Sequence, residues 1–275
     1  MLIAHTPTTL HPQLDQLRYQ QGKRRTIALV TTRGELHDGH GAVINAAATV
    51  SDHVVVAKMP MTVDQDENVV SATEFQDISF SDRHQADVVY APTATDLFPQ
   101  GTDLAEEFPF QVPLSELEHD AVALLTHLKI INAVQPDIMV WGERNFVEYA
   151  QVKALIKVLD IRTQLHCVPT VRHSNGTAVA TSVEDMDTET AATAQVIYQT
   201  LENVTHVIRS GGRNFENIRR TARTALKGAG FAIAYFEILD EQTLANADEQ
   251  TESFRLICQV TLGDITIADG MGLTL

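Results

Sequence analysis

Cysteine is nearly absent from the chain: Cys167 and Cys258 stand far apart and neither belongs to a CxxC pair. That excludes a disulfide framework and a cysteine-built zinc site, and it fits a reducing compartment. No apolar run approaches the roughly 18 residues that a membrane-crossing helix needs. The first residues, "MLIAHTPTTL", lack the basic flank and apolar core of a secretory signal. The expectation is a cytoplasmic protein with no membrane partner. Positive charge is also short. Twenty Lys and Arg face 36 Asp and Glu, for a net charge of −16 and a pI of about 5.0. Such a surface repels nucleic acid, so any bound phosphate must be held by local donors.

Apolar residues are plentiful, at 44% of 275. A chain of that length favours two domains. "TIALVTT" (26–32), "HVVVAKM" (53–59), "ADVVYAP" (86–92), "DIMVWG" (137–142) and "TQLHCVPTV" (163–171) read as buried strands. A first helix is expected over Leu10–Gln21, closed by Gly22. "GELHDGHGAVINAAATV" turns into a helix, and Ser115 to Glu118 reads as a capping box for another through Val134. "NFVEYAQVKALIKVL" reads as a third helix of this region, with Asn145 as N-cap. The stretches 62–80 and 93–112 carry no clear period. Strands alternating with helices, each strand a continuous apolar run, predict a Rossmann-like parallel sheet covered on both faces, over residues 1–170. After about residue 170 two helices precede three strands, "FAIAYFEIL", "FRLICQVTL" and "DITIADG", which predicts a smaller α+β domain over 171–275.

Ligands of parallel sheets bind outside the carboxyl ends of the strands. Both "TTRGELHDGH" and "WGERN" follow strand ends. His37 and His40 are spaced i,i+3 and share the first turn of a helix, where backbone N–H groups are unpaired and the helix dipole is positive. Gly34 and Gly39 permit close backbone approach. Imidazoles there supply donors for phosphate oxygens. The plain alternative is two surface histidines out of the chain's eleven. Metal ligation by the pair would need a third ligand, and no HExxH or Cys/His cluster provides it.

An HxGH sequence opening the first helix of a parallel sheet resembles the nucleotidyltransferase superfamily. "TTRGELHDGH", "YAPTATDLFPQG", "QPD", "GERNF", "VPTVR" and "YFEILD" narrow the resemblance, in order along essentially the whole chain, to the pantothenate synthetase (pantoate–β-alanine ligase) family. The resemblance implies an ATP-dependent, Mg²⁺-assisted ligase acting on a small acid and an amine as a homodimer. An acid is first adenylated with release of pyrophosphate; an amine then displaces AMP.

It also implies roles for particular residues. His37 and His40 would contact the triphosphate, with His40 as proton donor, and Arg144 would keep the positive charge of the family's catalytic lysine. Thr32, Arg33 and Gly34 belong to the phosphate loop. Gly142, Glu143, Arg144 and Asn145 match the ribose and phosphate loop, and Val171 the adenine site. The family's MSSR loop is "VATS" here, Val179, Ala180, Thr181 and Ser182, without its arginine. Asp77 matches a metal-binding aspartate.

Several departures fall on the site. The family's Pro and Met of the first motif are Thr31 and Arg33, its Asp is Asn145, and its pantoate-binding Gln is Glu148. Its NPxQF motif is lost, so that either Thr62 or Asp64 takes the place of the glutamine. A Gln amide can donate to a substrate carboxylate or hydroxyl, whereas an ionised Glu cannot. Glu148 against a carboxylate needs a partner such as Arg33 or Arg144. These changes leave four readings open: a ligase with another acid, pantoate–β-alanine ligase itself, a nucleotidyltransferase without amide formation, and an inactive relative.

Overall fold

The computed structural model describes residues 1–20, 22–60, 67–101, 112–118, 120–180 and 186–275, with the side chains of 67–73 and 188–189 outside the description. In chain order the elements are β1 (Leu2–Ala4), α1 (Pro7–Arg18), β2 (Tyr19–Gln20), β3 (Lys23–Arg24), β4 (Ile27–Thr32), α2 (Asp38–Val50), β5 (His53–Lys58), α3 (Glu67–Arg83), β6 (Val88–Tyr90), α4 (Ala94–Leu97) and α5 (Ala121–Val134). There follow β7 (Ile138–Gly142), a 3-10 turn (Glu143–Asn145), α6 (Phe146–Val158), β8 (Gln164–Val168), α7 (Thr188–Arg209), α8 (Phe215–Gly228), β9 (Ala232–Asp240), β10 (Ser253–Leu262) and β11 (Ile265–Thr274). None of the described helices is long and apolar enough to cross a membrane. The chain divides into two compact units, Met1–Trp141 with Glu148–Val168, and Gly142–Val147 with Pro169–Leu275.

The first unit is built on a six-stranded sheet ordered β1-β6-β5-β4-β7-β8, with the expected parallel pairing. Successive residues of β4, from Ile27 to Val30, are all buried, so both faces of the sheet are covered. Helix α2 supplies Ile44 and Ala47 to the face that carries Ala28, Val30, Val54 and Val56. The order reverses at β4: β5 and β6 lie to one side of it and β7 to the other. A reversal of this kind opens a crevice at the carboxyl ends of the strands, which places the Thr32–His37 segment at its rim.

Four local expectations are corrected. Helix α1 begins at Pro7, because Thr6 caps it by accepting from Thr9 N–H and proline suits the first turn. The stretch 62–80, expected to lack an element, contributes most of α3. Its inward positions include Asp77 and Ser81, polar groups that hide the apolar period. Ser115 and Glu118 do not open a helix: Leu114 is in the left-handed region, and Asp120 caps α5 through Ala123 N–H at 2.8 Å. Asn145 is no cap either, since the 3-10 turn already holds it and Gly142 takes the cap position.

In the second unit β9, β10 and β11 form an antiparallel meander. Ile197, Leu201, Val204 and Ile208 of α7 join Ile218, Ala222 and Leu226 of α8 and Phe236, Phe254 and Leu256 of the sheet in one core. Phe254 is fully buried, its ring 5.7 Å from that of Phe215. Phe254→Ala is expected to cost about 3–5 kcal/mol, read as a lowered denaturant midpoint in urea unfolding followed by circular dichroism.

Candidate active site

Where β4 ends, Thr32 turns its hydroxyl back to accept Gly34 N–H at 3.0 Å. Gly34 has φ +97°, and an added Cβ would lie 2.9 Å from Lys58 Cε, so both the backbone and the space require glycine. Lys58 ends β5 directly opposite Thr32. Its ammonium lies 3.1 Å from Asp77 Oδ2, without hydrogen-bond geometry, while Asp77 Oδ1 accepts Leu36 N–H at 2.9 Å. Asp77 therefore anchors the loop to α3. No group of three or more His, Cys, Asp or Glu side chains that could hold a metal occurs among the described residues. Asp77 is buried, with Oδ1 taken by Leu36 N–H and Oδ2 against the Lys58 ammonium, so in this arrangement it offers no open carboxylate oxygen to a metal.

The two histidines form a reciprocal cap at the start of α2. His37, extended at φ −130°, is the N-cap; its Nδ1 accepts Gly39 N–H at 3.1 Å. His40, at the third helical position, accepts His37 N–H on its own Nδ1 at 3.3 Å. The imidazoles thus do what Ser and Glu do in an ordinary capping box. Because each Nδ1 accepts, each ring carries its proton on Nε2. The rings stand 4.1 Å apart and are half-buried, neither sealed in the core nor fully exposed.

Arg33, between Thr32 and Gly34, reaches the first turn of α6. Its guanidinium donates to Glu148 Oε1 at 2.9 Å. The same oxygen lies 3.2 Å from Nε2 of His127, a residue of α5 that is 1% exposed. Burial pushes the Glu148 carboxyl up, but the hydrogen bond and charge of His127 and the charge of Arg33 outweigh it and hold the group below the usual carboxylate range. Of the two arginines proposed to pair with Glu148, Arg33 does so.

Arg144, in the second unit, donates instead to Ala268 O at 3.0 Å, and burial lowers its pKa against the opposing pull of Asp269. Glu143 is buried and engaged throughout: it accepts from Arg255, from Gly272 N–H at 2.7 Å and from Thr170 N–H at 3.2 Å. Val171 and Val179 face each other across a short hairpin, Val179 N–H donating to Val171 O at 2.9 Å; Val179 and Ala180 are buried. Arg172 braces that hairpin through a bidentate pair with buried Asp269 at 2.8 and 3.0 Å. Gly142 and Asn145 bound the 3-10 turn. Thr62, Asp64, Thr181 and Ser182 lie outside the described residues.

Sequence reasoning passed over Lys58, His127 and Arg172. Lys58 closes an apolar strand level with Thr32 and the loop that follows it, a positional signal that was readable. His127 sits inside the apolar helix pattern "ALLTHLKII", where nothing in the period marks it.

A family model for pantoate-beta-alanine ligase matches residues 2–272. The pantothenate synthetase of Methylococcus capsulatus is 29% identical over 287 aligned positions, spanning all of this chain and 99% of that protein. That of Marinobacter nauticus is 29% identical over 267 positions and 93% of each chain. The pantothenate synthetase structure from Thermus thermophilus has a TM-score of 0.80 at 20% identity, covering 98% of this chain and 99% of that one. The pantoate-beta-alanine ligase of Francisella tularensis, solved with β-γ ATP and β-alanine, gives a TM-score of 0.69 at 20% identity over 98% of this chain and 97% of that one. With the fold in agreement and the family model matching almost from end to end, the chain belongs to the pantoate-beta-alanine ligase family of ATP-dependent, amide-forming ligases.

Proposed function

We propose that the chain joins a small carboxylic acid other than pantoate to an amine, through an acyl adenylate. The observation that carries this reading is Glu148, an ionised carboxylate paired with Arg33 and His127 where the family presents a glutamine. An ionised carboxylate offers no donor to a substrate carboxylate and repels it.

In the first half-reaction an oxygen of the acid attacks the α-phosphorus of ATP. The bond to the β-phosphate oxygen breaks, and pyrophosphate leaves. The Nε2–H groups of His37 and His40, together with the N-terminal turn of α2, donate to phosphate oxygens whose charge builds during attack. His40 Nε2–H donates a hydrogen bond toward the leaving group, the place the resemblance gives to the family's proton donor, and Lys58 and Arg33 add positive charge beside Gly34. When bound with ATP, Mg²⁺ would supply charge neutralisation on the phosphates, and the resemblance gives Asp77 as the residue that would hold it. In the second half-reaction the amine nitrogen attacks the acyl carbonyl, an amide forms, the amine loses a proton and AMP leaves. The resemblance assigns Val171 to adenine, Gly142–Asn145 to ribose and phosphates with Arg144 in the place of the catalytic lysine, and Val179 to Ser182 to the phosphate loop. Thr62 or Asp64 and Glu148 are assigned to the acid. A cytoplasmic homodimer is part of the same reading.

The second reading is pantoate–β-alanine ligase itself. It is favoured by the end-to-end match to relatives described as pantothenate synthetases.

Pyrophosphate release from ATP and Mg²⁺ across a panel of acids separates the two. An acid other than pantoate is expected to drive release at least tenfold faster than pantoate does. Pantoate as the best acid would establish the second reading, and release with no acid despite ATP binding would end the ligase assignment. His37→Ala and His40→Ala are each expected to lower acid-dependent pyrophosphate exchange by about 10²-fold. Loss of the cap adds a cost of about 1 kcal/mol in stability, read separately from thermal melting.

A further inference from the structure

Glu148 is held by two groups of different permanence. Arg33 leaves its side chain 52% exposed and sits in the phosphate loop, so its grip is screened by water and open to exchange. His127 is buried on α5, with its ring 4.8 Å from that of Trp141. Its Nδ1 is buried without a hydrogen-bond partner among the described residues, so Nε2 against Glu148 is the ring's one hydrogen-bonding direction there. A third titratable group, Glu118, approaches from the segment before α5. One turn beyond Glu148, Gln151 donates to Glu118 O at 2.6 Å, which ties this segment alongside α6. Burial and then the Glu148 charge raise the Glu118 carboxyl, while Arg33 opposes them. Among the described residues Glu148 therefore has Arg33 and His127 in direct contact, and Glu118 on the segment tied alongside α6.

This arrangement is unusual for a site that accepts an acid. Burial alone favours a protonated Glu148, which carries an O–H and can donate much as a glutamine amide does. With its proton on Nε2, the imidazole removes that option by donating a hydrogen bond to the carboxylate. If Arg33 turns toward phosphate, two carboxylates remain, with the imidazole as the donor left beside them. A second carboxylate arriving there is repelled, whereas an ammonium group is attracted and has three donors to share between the two glutamates.

We propose that His127 is a positioning residue that keeps Glu148 an ionised acceptor, and that Glu148 with Glu118 selects a carboxylic acid bearing an ammonium group. The proposal rests on the altered-substrate reading above. It deepens that reading by naming the substrate class and a residue that decides it, and His127 acts through Glu148 without touching the substrate.

Two measurements on the full chain test it. The first needs no substrate. A carboxylate whose folded pKa is depressed stabilises the fold above its unfolded pKa, and that stability is lost as pH falls through the folded value. The melting-temperature difference between the wild type and Glu148→Gln is expected to vanish on acidification with a midpoint below the ordinary carboxylate range. In a His127→Phe background that midpoint moves up, and in His127→Gln, which keeps an N–H donor, it returns toward the wild-type position. An unmoved midpoint in His127→Phe overturns the positioning role, and so does failure of His127→Gln to restore it.

The second measurement is pyrophosphate exchange with pantoate, with β-alanine, 4-aminobutyrate and the common α-amino acids, and with their N-acetyl forms. An amino acid is expected to support exchange, its N-acetyl form to lose at least tenfold, and Glu148→Gln to shift preference at least tenfold toward pantoate. In His127→Phe, pantoate-dependent exchange is expected to rise as pH falls. Equal rates with amino and N-acetyl forms, or exchange with none of the amino acids, overturn the substrate class. Pantoate used by the wild type as well as by Glu148→Gln overturns the altered-substrate reading instead, and leaves the melting experiment to judge His127.

Discussion

Two imidazoles that cap the same helix hold the start of α2 in order. A helix N-terminus beside a parallel sheet needs its first N–H groups satisfied, yet a phosphate site needs some of them presented outward. In the proposed site His37 and His40 meet both demands with one ring nitrogen each. The Nδ1 atoms take the local N–H groups of Gly39 and His37, and the other ring nitrogens carry the protons. Ser or Asp at the cap satisfies the backbone equally well but brings no N–H donor for an anion. The i,i+3 spacing is the distance between a cap and its reciprocal partner, which is why one side chain can serve the other's backbone.

The loop before that cap depends on pairing of a second kind. Gly34 holds a positive φ that L side chains rarely adopt and passes close to the ends of Lys58 and Asp77, and Leu36 N–H is fixed on Asp77. In the second unit Glu143 has the equivalent organising part. It gathers the guanidinium of Arg255 and two backbone N–H groups, and Arg255 also reaches Glu241. A buried carboxylate with three donors is stable as a charge, and removing one donor leaves the remainder underpaired. The Glu of "WGERN" is therefore explained by its own surroundings before any nucleotide is invoked.

The parallel sheet and the three strands of the second unit follow from features visible in the chain: continuous apolar runs, helical periods between them, and a change of grammar near residue 170; the strand order around β4 and the antiparallel meander come from the fold. Helix α3 was hidden because its buried positions include polar side chains, so hydrophobic period ceased to report burial. The beginning of α5 was misplaced because Ser115 and Glu118 have the right spacing for a box while the backbone at Leu114 is left-handed. In the site, the histidines, Arg33 and Glu148 were legible because they stand in or beside recognisable segments. His127 was not, since a histidine in an apolar helix acquires meaning only from what the fold places opposite it, here a carboxylate 115 positions beyond Arg33 in sequence.

The overall charge of −16 sharpens what these local pairs must do. In a strongly acidic protein the long-range field opposes an incoming triphosphate, so attraction has to arise within a few ångströms. Yet Lys58 faces Asp77 and Arg33 faces Glu148, which reduces the positive field either cation projects. In the proposed phosphate site, what the α2 turn adds beside these pairs is neutral donor capacity from the imidazole N–H groups. Such donors keep their strength where a charge would be screened or already paired, and they need no counter-ion to be buried with them. The histidine pair therefore suits this chain for a reason beyond helix capping, because a neutral donor carries no charge for the acidic surroundings to cancel.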